Sequence, residues 1–199
     1  MTRVYGMSAS GNCHKVRMVL EALALPYDWT ETDTTKGDTR TPSFLALNPN
    51  GQVPAVQLDD GTVLAESNAI IFYLAEGSDL IPAQRLERAR MLQWMFFEQY
   101  SHEPYIAVAR ALRKFHRDPK SQRAVIESKM AGGYRALDVM EDRLAKSAFF
   151  AGDAFSIADV ALYAYTHVAD EGGFELERFP AVQAWLARVK AQPRHVDMR

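Results

Sequence analysis

Residues 48–75 read NPNGQVPAVQLDDGTVLAESNAIIFYLA. Asn48-Pro49-Asn50-Gly51 is turn chemistry. Residues 53–58 and 62–65 are short strand-like runs, and Asp59-Asp60-Gly61 between them is a hairpin signal. From Ser67 to Ala75 apolar residues return at helical spacing. Pro54 lies inside an otherwise strand-like run, and its missing N–H marks an edge or a bulge. A cis Val53–Pro54 bond would turn the chain so that Val53 offers both N–H and C=O to an extended peptide. Such bonds make up about 5–6% of X–Pro bonds, and the residues alone leave the isomer open. Glu66, Ser67 and Asn68 stand at a strand-to-helix junction. The Ser67 hydroxyl and nearby N–H groups suit a carboxylate and Glu66 suits an ammonium. Equally, Ser67 or Asn68 simply caps the helix.

Working outward, the segment before this stretch alternates in the same way. Arg3 to Met7 reads as a strand. Val16, Val19, Leu20 and Leu23 recur at helical spacing over 13–24, with Lys15, Arg17 and Glu21 interspersed. Residues 27–33 read as a half-buried strand, and Thr41-Pro42 as a cap and first position of a short helix through Leu47. The order is β-α-β-α-β-β-α over residues 1–76. After a linker at 77–84 no strand is evident, and residues 85–199 read as helices. Residues 86–116 form a long helix with Pro104 as a kink. Residues 123–146 form a second, weakened at Gly132-Gly133. Ser156 and Asp159 make a capping-box pair that opens a third, which Gly172-Gly173 ends, and Pro180 opens a last.

The chain has 199 residues, 48% apolar and 24% charged, with net charge −2 and one cysteine. That balance gives no general pull toward nucleic acid or anionic membrane. A lone cysteine allows no intrachain disulfide, which fits a reducing compartment. The first residues hold no apolar core of signal-peptide length, and no run reaches a membrane span. A cytoplasmic location is expected. No His, Cys or carboxylate cluster has metal-site spacing, so no metal is expected.

The loop at residues 8–13, Ser-Ala-Ser-Gly-Asn-Cys, joins the first strand to the first helix. Helix N-terminal N–H groups favour an anion there. Ser10 lies three residues before Cys13, which is the C-x-x-C redox spacing with serine in first place. A dithiol cycle between these positions is impossible, and a hydroxyl donor remains where a reactive thiolate would otherwise sit. Such a loop suits a thiolate that arrives with a substrate. The plainer account is that Ser8 and Ser10 satisfy loop backbone groups and Cys13 is a small buried residue.

These features in this order, ahead of an all-helical half, resemble the cytosolic glutathione S-transferase family, of a bacterial, serine-type or Nu-like kind. The likeness covers essentially the whole chain. It implies a thioredoxin-like α/β N-terminal domain over 1–76 and an all-α C-terminal domain over 85–199. It implies a glutathione transferase that activates the glutathione thiol as thiolate for attack on a small hydrophobic electrophile. Ser10, with Asn12 two residues on, takes the place of the family's thiol partner. Val53 pairs with the cysteinyl backbone beside a cis Pro54, Glu66 and Ser67 hold the γ-glutamyl end, and Gln52 lies near the glycyl part. Tyr5 falls inside the strand, so the family's tyrosine type does not fit. The resemblance further implies a detoxification role and a homodimer. A maleylacetoacetate-type isomerase has a Ser-Ser-Cys run that is absent here, although Lys15-Val16-Arg17 is kept. That isomerase, a disulfide-bond reductase and a non-catalytic glutathione-binding module are the alternatives. For the electrophile, expected where the two domains meet, the candidate lining is Met7, Tyr105, Ile106, Ala109 and Tyr163, each of which could equally be core. His102 and Arg110 could touch an anionic substrate, or simply make salt bridges.

Overall fold

Alternating strand and helix periods at the start of the chain build one sheet covered by helices. In the computed structural model, which describes residues 1–198, β1 (Thr2–Gly6), α1 (Gly11–Ala22), β2 (Tyr27–Glu31), α2 (Pro42–Leu47), β3 (Ala55–Gln57), β4 (Val63–Ala65) and α3 (Ser67–Ala75) follow in the expected order. The sheet order is β2-β1-β3-β4. β1 runs parallel to β2 and antiparallel to β3, with Val4 opposite Val56, and β3 pairs antiparallel with β4. Gly61 makes that hairpin possible at φ 86°, where a side chain would be strained. Val4, Val16, Val19, Leu20, Val56, Ile70 and Ile71 are fully buried and form the core of this unit. Thr41 caps α2, its Oγ accepting the Phe44 N–H at 3.3 Å, with Pro42 at the first helical position.

Among the described residues the backbone groups into two units: residues 1–78 with 193–198, and residues 79–192. The closing segment, expected in the helical half, therefore belongs with the sheet. Arg194 Nε donates to Glu21 O at 2.8 Å near the end of α1. The residues expected to form the end of a linker, 79–84, belong to the helical unit.

The second unit comprises α4 (Arg85–Phe97), α5 (Glu103–Lys114), α6 (Arg123–Leu144), α7 (Ile157–Thr166) and α8 (Pro180–Lys190). The expected long first helix is interrupted by a π turn over Glu98–His102, where the Glu103 N–H reaches Glu98 O. Pro104 has no N–H to continue the ordinary i to i−4 pattern, so the chain changes winding just before it. Gly132 and Gly133 do not weaken α6, which runs through both. A Cβ at Gly132 would enter the Tyr105 ring of α5 and one at Gly133 the Phe174 ring, so these glycines let both rings pack close against α6. α7 ends at Thr166, short of the expected glycine pair, and a 3-10 turn over Ala169–Gly172 follows, with Gly173 at φ 88°.

Asp159 organises this core. Its Oδ1 accepts from Phe150 N–H (3.1 Å) and Trp185 Nε1–H (3.0 Å), and its Oδ2 from Ser156 N–H and Oγ–H (both 3.0 Å). Burial pushes the carboxyl up, those four donors pull it back part of the way, and the balance leaves it raised to about 6. The Ser156–Asp159 pair is a capping box, and fully buried Trp185 packs edge-on to Phe150 and Tyr163.

Candidate functional site

The loop between β1 and α1 holds three groups with sulfur or hydroxyl chemistry, and their hydrogen bonds differ. Ser10 is the N-cap of α1, with its Oγ 3.4 Å from the Cys13 N–H it accepts. A hydroxyl has one proton and two lone pairs. The cap uses a lone pair, so the proton is left for an acceptor beyond the helix end. Ser8 is committed elsewhere. Its N–H and Oγ–H both go to the Glu31 carboxylate, at 2.8 and 2.7 Å, and Arg17 Nη2 donates to its Oγ at 3.2 Å. Trp29 Nε1–H also donates to Glu31 (2.8 Å), and the Arg17 guanidinium lies 4.0 Å over the Trp29 ring. Burial acts to raise the Glu31 pKa, but the Ser8 and Trp29 hydrogen bonds and the Arg17 charge outweigh it and hold it below the usual value. Cys13 is fully buried, its Sγ accepting from Met7 N–H at 3.4 Å. Burial pushes this thiol up to about 11, so it is no nucleophile near neutral pH.

Opposite the loop, α1 and α3 pack together. Ser67 is buried but does not cap α3, whose N-cap is Glu66 with no side-chain hydrogen bond. Instead Ser67 Oγ–H reaches across to Asn12 Oδ1 at 3.1 Å, and Lys15 Nζ–H donates to Ser67 Oγ at 3.4 Å. Glu66 is exposed and sits at φ 67°, ψ 110°, a strained region for a residue with a side chain. The Val53–Pro54 peptide bond is cis. Val53 lies just ahead of β3, so its N–H and C=O take no part in the ladder. Gln52 is exposed, and its C=O accepts from Asn48 Nδ2 at 2.9 Å. Tyr5 lies inside β1 with its ring edge-on to Phe44, which removes it from the loop.

Family models describe the same two parts. Residues 9–76 match the glutathione S-transferase N-terminal domain and residues 94–193 the glutathione S-transferase C-terminal domain. The chain belongs to the glutathione S-transferase family. A solved glutathione S-transferase from Pseudomonas fluorescens Pf-5 is 53% identical, with TM-score 0.96 over 99% of this chain and 98% of that one. The disulfide-bond oxidoreductase YfcG of Escherichia coli strain K12 is 31% identical over 92% of this chain and 87% of its own. A third relative, the glutathione transferase URE2P6 of Phanerochaete chrysosporium, was solved in complex with oxidized glutathione. It is 29% identical, with TM-score 0.85 over 97% of this chain and 92% of its own.

In this glutathione S-transferase family member the residues expected to line the electrophile site differ in exposure. Met7 is half-buried beside Thr34, whose Oγ1 lies 3.4 Å from its Sδ. Tyr105 is half-buried and lines a shallow cleft of about 280 Å³ with Phe97, Tyr100, Gly132 and Val139. Ile106, Ala109 and Tyr163 are instead buried, at 0, 0 and 4% exposure. Tyr163 stacks on His167 with ring centres 4.5 Å apart. Arg110 is likewise buried, its Nε donating to Glu171 at 2.6 Å, and His102 pairs with Thr166 Oγ1 at 2.9 Å.

The spacing of α1 did not reveal two of its buried residues. Lys15 and Arg17 stand among its polar-looking positions, yet both are buried. Lys15 reaches Ser67, distant in sequence, and Arg17 reaches Ser8 across the loop.

Proposed function

We propose that this protein is a glutathione transferase. Glutathione binds at the N-terminal unit, with Val53 pairing along its cysteinyl backbone. Glu66 takes the γ-glutamyl ammonium, the Ser67 N–H at the start of α3 takes its carboxylate, and Gln52 lies near the glycyl end. Ser10 Oγ–H donates to the sulfur, and Asn12 adds a second donor. The observation that carries this reading is the hydroxyl of Ser10, whose cap leaves its proton available while Ser8 and Cys13 are otherwise engaged. A thiol with a pKa of about 8.5 is only about 3% thiolate at pH 7. One hydrogen bond to a charged sulfur contributes about 1.5–3 kcal/mol, enough to lower that pKa by roughly one to two pH units. The thiolate then attacks the electrophilic carbon, the leaving group departs with its electron pair, and the thiol proton goes to solvent. Positioning against the electrophile adds to the rate. We further propose that the protein works as a homodimer, tested by light scattering for twice the 22.4 kDa chain mass.

A second reading is favoured by the likeness to a disulfide-bond oxidoreductase. A mixed or substrate disulfide would be cut by one glutathione thiolate, and a second glutathione would release the product thiol, leaving oxidized glutathione. The protein supplies no thiol of its own, since Cys13 is buried and protonated. Calorimetric titration with glutathione, followed by turnover with chlorodinitrobenzene and with hydroxyethyl disulfide, separates the two. Conjugation of the aromatic halide supports the transferase. Turnover of the disulfide alone replaces it with the reductase, and binding without either turnover sinks both.

A further inference from the structure

Lys15 lies on the part of α1 that packs against α3, and it is fully buried. Burying an ammonium is costly unless hydrogen bonds compensate, and a methionine would fill the same space without that cost. The residue therefore needs a polar reason to be there. An ammonium has three N–H donors and no acceptor. At its 3.4 Å contact with Ser67 Oγ the lysine must donate and the serine must accept. Ser67 has one proton, and it goes to Asn12 Oδ1 at 3.1 Å. The direction of the relay is thus set from its buried end: ammonium to hydroxyl to carboxamide oxygen.

The two ends of a carboxamide are nearly the same size and differ in whether they donate or accept. The proton that Ser67 offers selects the oxygen end of Asn12 for the α3 side. The NH2 end is then turned away from α3. We propose that Lys15 is a positioning residue that fixes the donor end of Asn12 for the sulfur of bound glutathione. This rests on the reading that glutathione is the ligand. Without the ammonium, Ser67 can accept from Asn12 as readily as donate to it. Both carboxamide orientations then become available, and in the flipped one an oxygen faces the thiolate and repels it.

The test uses the full chain and Lys15→Met. In the ligand-free protein the Asn12 side-chain NH2 resonances, assigned by their loss in Asn12→Ala, are expected to shift or split in the variant. With glutathione, the variant is expected to raise the bound thiol's pKa, read from thiolate absorbance. It should lower kcat about three- to tenfold with the glutathione KM changed less than about threefold, the size of one hydrogen bond. In an Asn12→Ala background the same substitution is expected to change kcat less than about twofold, because the group it positions is gone. Asn12 resonances unmoved by Lys15→Met, or an equal kinetic effect in both backgrounds, overturns the proposal. If Lys15→Met does not fold, Ser67→Ala removes the relay hydroxyl, and unmoved Asn12 resonances there overturn it as well. Failure of the unaltered protein to bind glutathione sinks the functional reading, and the resonance measurement still decides the positioning.

Discussion

Hydrogen-bond accounting separates Ser10, Ser8 and Cys13, three side chains within six residues. Each hydroxyl has one proton to give, and Ser8 gives it to Glu31 whereas the cap of Ser10 consumes only a lone pair. Ser10→Ala is expected to lower kcat about ten- to a hundredfold at neutral pH, the equivalent of one charge-assisted bond to sulfur. It should also lower stability by about 0.5–2 kcal/mol through loss of the cap. Ser8→Ala keeps the loop's donor and should leave kcat within about threefold, with a loss of about 1 kcal/mol in stability from the Glu31 clasp. A steady-state rate and a thermal melt for each variant check both, and a larger kcat loss for Ser8→Ala would reverse the assignment. Cys13 is expected to be silent. With a pKa of about 11 it is about 0.1% thiolate at pH 8, and it is buried besides. An aromatic disulfide reagent should label it only as the protein unfolds, and rapid labelling of the native protein would contradict the burial argument.

At the scale of the helices, two adjacent glycines in α6 predict different outcomes from one substitution. Alanine favours a helix over glycine by about 1 kcal/mol. At Gly133 the new methyl enters the ring of Phe174, which is 2% exposed and has little room to move. Overpacking of about 1–3 kcal/mol then outweighs the propensity gain, and Gly133→Ala should lower stability by about 1–2 kcal/mol. At Gly132 the obstacle is the half-buried ring of Tyr105, which can swing outward, so Gly132→Ala should be near neutral by denaturant titration. Equal losses at both would show that the Tyr105 ring is as fixed as Phe174. Asp159 sets the start of α7 and ties it to Phe150 and Trp185. Asp159→Ala strands four donors in a dry core and should cost at least about 3 kcal/mol, read as a lowered denaturant midpoint.

Over the whole molecule, what the residues announce and what they conceal follow different physics. The β-α-β-α-β-β-α order is legible because a strand repeats every two residues and a helix every 3.6, with turn residues between them. The place of Ser10 at the start of α1 is legible too, from its register against that helix. Burial of Lys15 and Arg17 is not, because periodicity marks inward positions without saying that a charge will be tolerated there. The glycine pair read as weakness because spacing cannot show which ring approaches from elsewhere in the chain. The membership of residues 193–198 was hidden for a similar reason: local pattern carries no information about a contact far away in sequence. That contact supports a last prediction. Arg194 Nε–H reaches Glu21 O near the C-terminal end of α1, beside the Ala24 N–H that this carbonyl also accepts, and a cation is favoured there. His195 follows with its side chain 8% exposed. Removing residues 193–199 therefore takes away a C-terminal cap and a buried side chain, and stability should fall by about 1–2 kcal/mol. Arg194→Ala should reproduce about half of that loss. Amide exchange should quicken in the last turn of α1 and not in its first, since Ser10 holds the other end. The bound thiol's pKa should stay where it is, because the loop and the Lys15–Ser67–Asn12 relay lie at the opposite end of the helix. A thiol pKa that moved with the truncation would mean that α1 transmits strain along its length, and the site would then depend on the whole unit and not on its own hydrogen bonds.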